Sequence, residues 1–92
     1  MALPTIEIAR TFGLTEAELM AQALQRFLLE KRREVMQERL EMLARYNVQT
    51  GEELEAAIGR GAVPEHPAWE DLITIENLEA ALAELDEHLR DL

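Results

Sequence analysis

The stretch EAELMAQALQRFLLEKRREVMQERLEMLAR, residues 16–45, decides the fold. It contains no Gly or Pro and is dominated by Ala, Leu, Glu, Gln, Met and Arg, all strong helix formers. Thr15 precedes it with an N-capping hydroxyl, and Glu18 stands three residues on, as a capping box requires. Leu14 and Leu19 are spaced as a hydrophobic staple. The pattern predicts one helix from about 16 to 45, roughly 45 Å long at 1.5 Å per residue. A compact chain of this length has a radius of gyration near 12 Å, and so a diameter of about 30 Å. The helix is too long for such a body. Either it breaks near Lys31-Arg32-Arg33, or it overhangs and packs on another molecule.

The apolar pattern favours the overhang. Met20, Ala23, Leu24, Phe27 and Leu28 form a stripe at helical spacing, and Leu29, Met36, Leu40 and Leu43 continue one in the second half. The residues expected to mediate self-association are therefore Leu24, Phe27, Leu28, Met36, Leu40 and Leu43.

Upstream, residues 3–12 admit two readings. Thr5-Ile6-Glu7-Ile8 alternates like a short strand, which would pair with its copy in a dimer; Pro4 followed by Ile6, Ile8, Ala9 and Phe12 fits a short helix stopped by Gly13. The glycine stop favours the helix. Downstream, Thr50 caps a short helix over about 51–58, with Glu53 in capping-box spacing and Leu54, Ala57 and Ile58 on its apolar face. Gly59-Arg60-Gly61 ends it, and Pro64 and Pro67 stiffen the connector. A last amphipathic helix is expected over about 67–89, where Ile75, Leu78, Leu82, Leu85, Leu89 and Leu92 alternate spacings of three and four. The fold class is all-α, as a helical dimer or higher oligomer.

Ninety-two residues, 48% of them apolar, make a single domain with a thin core. There is no cysteine for a disulfide or a thiolate metal site. No apolar run approaches the roughly 18 residues of a membrane span, and the opening Met-Ala-Leu-Pro with Glu7 lacks signal-peptide character. A cytoplasmic protein without membrane attachment is expected. The net charge of −10 is unevenly placed: residues 1–45 carry seven basic and seven acidic side chains, residues 46–92 two basic and twelve acidic. The chain divides accordingly into a charge-neutral dimerising half and an acidic half suited to a basic protein surface. An acidic surface repels nucleic acid, so nucleic-acid partners are disfavoured overall.

Chemistry-bearing patterns are sparse. His66 and His88 are the only imidazoles; Glu84 and His88 share a helix face, but a metal site wants three or four convergent ligands. No nucleophile set, phosphate loop or dinucleotide fingerprint is present. The expectation is a non-enzyme without cofactor or metal. Lys31, Arg32 and Arg33 form the one basic cluster, a candidate nucleic-acid contact or a solvated face balanced by Glu30, Glu34 and Glu38. Trp69 reads as an interface anchor or as a core residue clamping the connector.

Residues 13–33, GLTEAELMAQALQRFLLEKRR, resemble the second helix of ribbon-helix-helix proteins in the Gly-Leu-Thr start, Glu18-Leu19, Ala23-Leu24, Phe27-Leu28 and the basic exit. The resemblance implies a helical dimer core, a DNA-reading strand before it, and an acidic tail that neutralises a toxin encoded nearby. Two departures bear on DNA. Too few residues separate Ile8 from Thr15 for that family's first helix, and Glu7 falls where basic or polar DNA-reading side chains belong. The antitoxin-like plan survives them, so the chain resembles small acidic antitoxins of prokaryotic toxin–antitoxin modules. The expected partner face is Trp69, Leu72, Ile75, Leu78, Leu82 and Leu85, ringed by Glu76, Glu79 and Asp86, against a basic partner such as a toxin nuclease. The alternatives are a self-assembling homo-oligomeric scaffold protein and a DNA-binding transcriptional regulator.

Overall fold

A computed structural model describes residues 4–92. Among the described residues there are four helices and no strand: α1 (Thr5–Thr11), α2 (Glu16–Arg45), α3 (Gly51–Gly59) and α4 (Glu65–Arg90). The stretch 3–12 is helical from Thr5, where the Ile8 N–H donates to the Pro4 carbonyl at 3.1 Å. That corrects the strand alternative; Leu3, its first residue, lies outside the described residues.

Local signals set the boundaries. Thr15 Oγ1 accepts from the Glu18 N–H at 3.0 Å and the Glu18 carboxylate accepts from the Thr15 N–H at 2.9 Å, closing the capping box. Donation from that backbone N–H, followed by the Thr15 side chain, lowers the Glu18 pKa. Thr50 caps α3 likewise, but Glu53 reaches back to the Gln49 N–H at 3.0 Å rather than to its own cap residue.

Three helices end the same way. At α1, Gly13 (φ +72°) and Leu14 donate to the Arg10 and Ala9 carbonyls. At α2, Asn47 (φ +52°) and Val48 donate to Ala44 and Leu43, and at α3, Gly61 and Ala62 donate to Ile58 and Ala57. Each is a Schellman closure with a left-handed residue reversing the chain. The start of α4 is less regular: its backbone is extended at His66, so the continuous helix begins near the expected Pro67.

The core lies at one end. Leu54 and Ile58 from α3 pack with Met42 and Leu43 of α2 and with Ala68, Leu72 and Ile75 of α4. Tyr46, Val48, Val63 and Leu78 close around this cluster. Leu54 and Ile75 are fully shielded. Helices α2 and α4 then run on together, away from the core, as an antiparallel hairpin. The molecule measures 60 × 23 × 21 Å, with a radius of gyration of 19.4 Å. The long helix does not break at its basic cluster; it overhangs.

Tyr46, the only tyrosine, donates its hydroxyl to Asp71 across the α2/α4 junction. Burial, then this bond to a carboxylate, push its pKa up to about 12. The neutral phenol is thus favoured by folding. Stability from this group is full below the unfolded value near 10 and is lost as pH rises from about 10 to about 12. Phenolate absorbance at 295 nm, free of other tyrosines, is expected to titrate near 12 in the folded chain, and Tyr46→Phe to flatten the alkaline loss of stability. A phenolate midpoint near 10 in the folded chain would show the contact is not formed. In the core, Leu54→Ala is expected to cost about 2–5 kcal/mol, whereas Ile73→Ala on the exposed face of α4 stays within about 0.5 kcal/mol; thermal melting compares them.

Candidate functional site

The hairpin register is visible in its polar contacts. Arg32 Nε donates to Asp86 Oδ1 at 2.7 Å, Arg39 Nε to Glu79 Oε1 at 3.2 Å, and Tyr46 to Asp71. On α2 these residues are one heptad apart. Leu28, Val35, Met36, Met42 and Leu43 are the half-buried or buried apolar residues between them, facing Leu72, Ile75, Leu78, Leu82, Leu85 and Leu89 of α4. Arg32 and Arg39 are half-buried along this seam, and their guanidinium groups reach Asp86 and Glu79, as snorkelling side chains do.

Where α4 stops follows from the same register. Four residues past Asp86 and four before Arg32, Arg90 lies level with Leu28. Residues 16–27 of α2 therefore project beyond α4 by about 18 Å at 1.5 Å per residue. Only α1 accompanies them. It packs on α2 through Ala9, which is buried, and Thr5 Oγ1 donates to Glu16 Oε2 at 2.7 Å. Leu14 and Leu19 are half-buried between the two helices.

One short helix does not cover what this head exposes. Ile6, Ile8, Phe12, Met20, Leu24 and Phe27 are all exposed, Phe12 to 72% and Phe27 to 57%. Leu92 joins them at the end of α4. An open cleft of about 390 Å³ runs between Leu24, Phe27, Leu28, His88, Asp91 and Leu92. The Lys31 ammonium sits 5.9 Å from the centre of the Phe27 ring and is also 3.5 Å from Glu34. The apolar cleft of Leu24, Phe27, Leu28 and Leu92, with the exposed apolar residues of α1 and Met20 at the same end, is the candidate site.

The residue types expected at interfaces are redistributed. Leu24 and Phe27 belong to the head. Leu28 and Met36 are half-buried in the hairpin seam, and Leu40 is exposed but three turns from the head. Leu43 is corrected outright: at 2% exposure it is core, held under Leu54 and Leu72. On the expected partner face, Leu72 and Ile75 are corrected for the same reason, since α3 and α2 close over them. Leu78, Leu82 and Leu85 turn toward α2 and are half-buried. Glu79 and Asp86 are engaged by Arg39 and Arg32. Trp69 and Glu76 remain exposed, Trp69 at neither the seam nor the head.

The basic cluster is compensated throughout. Lys31 meets Glu34, Arg32 meets Asp86, and Arg33 makes a two-pronged contact with Glu30 at 2.6 and 3.0 Å. The bond from Arg33 lowers the Glu30 pKa. A phosphate backbone would have to compete with each carboxylate. Among the described residues, no three His, Cys, Asp or Glu side chains converge as a metal site, and no helix is long and apolar enough to cross a membrane. His66 Nδ1 lies 2.7 Å from Glu70 on an exposed turn.

A match to the family described as "Uncharacterized protein MJ0235 family" spans residues 1–92. The chain belongs to the MJ0235 family. No curated protein and no solved structure matches it. The MJ0235-family match carries no link to antitoxins or to ribbon-helix-helix proteins.

Sequence reasoning missed α1 as part of the site. Ile6, Ile8 and Phe12 read either as a short helix or, for Ile6 and Ile8, as a strand paired with its copy, and their exposure as a helix becomes evident once α4 is seen to end level with Leu28. Seam position has a consequence of its own. Arg39→Met keeps the stem and is expected to hold stability within about 0.5 kcal/mol, whereas Arg39→Glu sets like charges together and costs more than about 1 kcal/mol. Urea denaturation at low salt separates the two; equal losses would mean that the Glu79 contact, removed in both, sets the effect rather than the stem or the added repulsion.

Proposed function

We propose that this chain is a non-catalytic protein–protein interaction module in which a two-helix stalk presents the apolar head as its contact surface. One observation carries the reading: α2 outruns α4, and α1 leaves Phe12, Met20, Leu24 and Phe27 open. Exposed apolar surface gathered at one end of a small domain marks a place where another polypeptide binds. Among the described residues no metal-ligand set converges at the head, and His88 and Asp91 line an open cleft rather than an enclosed pocket, which supports a binding role over a catalytic one.

The test is direct. At nanomolar dilution, the neutral dye Nile red is expected to fluoresce strongly with the native chain and with Ile73→Glu, a control on the stalk. It should lose most of that enhancement with Leu24→Glu/Phe27→Glu at unchanged helicity. Equal dye binding by all three would remove the head as the contact surface.

A second reading has its own support. Residues 46–92 carry twelve acidic against two basic side chains, a surface suited to a basic protein, as in antitoxin-like neutralisation of a toxin nuclease. In this reading the partner meets exposed carboxylates such as Glu52, Glu55, Glu76 and Glu87 rather than the seam leucines. A pull-down with the basic product of a neighbouring reading frame, repeated at rising salt, tests it; capture indifferent to salt, or none, removes it.

A further inference from the structure

We propose that the occupant of the apolar head is a second copy of this chain, docked head to head about a twofold axis near Leu24. The inference rests on the reading of the head as a contact surface and names its partner.

Charge selects this end for self-association. The head end, residues 1–28 with the end of α4 (87–92) that lies beside them, carries five acidic side chains (Glu7, Glu16, Glu18, Glu87, Asp91) and three basic ones (Arg10, Arg26, Arg90), a net of −2. The remaining fourteen acidic and six basic residues give −8. Two copies meeting through the core end would bring those excess charges together. Meeting through the heads sets the acidic ends at opposite extremes of an assembly built from two 60 Å rods, far beyond the ~8–10 Å over which salt leaves charges coupled.

Area and shape point the same way. Six large side chains at this end, Ile8, Phe12, Met20, Leu24, Phe27 and Leu92, each about half exposed and each on the order of 200 Å² in full, offer at most roughly 600 Å² of apolar surface per copy. That reaches the low end of stable interfaces, ~600 Å² per partner. Met20, Leu24 and Phe27 recur at spacings of four and three, the pattern of a helix seam. An antiparallel pairing of two α2 projections about Leu24 is self-complementary, as a twofold contact must be. It sets Met20 of one copy beside Leu28 of the other, and Lys31 of one beside the first turn of the other, where Glu16 and Glu18 stand. With each α1 flanking, Ile8 and Phe12 complete a four-helix cluster from two chains.

Sedimentation equilibrium of the full chain tests this. The native protein is expected at twice its 10.5 kDa mass, with Ile73→Glu the same. Leu24→Glu/Phe27→Glu should raise the dissociation constant at least 100-fold while keeping native helicity by circular dichroism. Under mild oxidation, Leu24→Cys should form a disulfide-linked dimer and Ile73→Cys should not. A native dimer untouched by the head substitutions overturns the inference. A native monomer also overturns it. If that monomer still binds Nile red through its head, the contact-surface reading stands with a different partner; if it does not, both fail.

Discussion

The antiparallel register of α2 against α4 is the constraint on which the rest depends. It is held by an apolar seam that would tolerate sliding and by polar contacts that do not. Slipping α4 by one heptad in one direction brings Arg39 to Asp86 and leaves Arg32 beyond the end of α4. Slipping it the other way brings Arg32 to Glu79 and sets Arg39 against Leu72, a core residue. Only the observed register satisfies Arg32, Arg39 and Tyr46 together. The two ion pairs each contribute little stability by themselves, but together with the partly buried Tyr46–Asp71 contact they disfavour the same alternatives, as charged flanking positions do in coiled coils. The Asn47 reversal and the Thr50 cap fix the phase from the other end, because α3 must place Leu54 and Ile58 under both long helices.

Once the register is set, the two ends of the molecule become unlike. At the core end three helices share one interior, and Leu43, Leu54, Leu72 and Ile75 are almost completely shielded. At the other end a lone helix carries α1 on its flank, and the largest buried side chain on α1 is Ala9. Burial of apolar area at about 25 cal/mol per Å² supplies most of a small domain's stability, so the core end is the durable part. The head has few shielded contacts of its own, and local opening is expected there first.

The elements whose signals are local could be read from sequence, and those set by another helix could not. Thr15 with Glu18, and Thr50 with Glu53, announce helix starts because the cap and its partner lie within one turn. Gly13 and Gly61 announce stops for the same reason. The face of α2 that meets α4 is different. Its sequence offers Leu29 and Leu40 as readily as Val35 and Met42, and the exposed pair looked like the continuation of the stripe. Arg32 and Arg39 are the residues that mislead most, since two cations at seam positions read as solvated surface until Asp86 and Glu79 are found opposite. The candidate site was legible in part: Leu24 and Phe27 follow from periodicity, but the role of Ile6, Ile8 and Phe12 depends on where α4 ends.

The burial of Leu72 and Ile75 also bears on how a basic protein would be met. A tail that wraps its target must hold its apolar residues free until binding, and its disorder is part of the energetics. Here those residues support Leu54 and Leu43, so releasing α4 would dismantle the core formed by the described residues. A single helix in water would not replace that loss. Contact with a basic surface would therefore use carboxylates held on an already folded scaffold, chiefly on α3 and the outer face of α4. Such an arrangement favours rapid, salt-sensitive encounter over a deeply buried interface, and it leaves the apolar head free to act independently at the far end of the stalk.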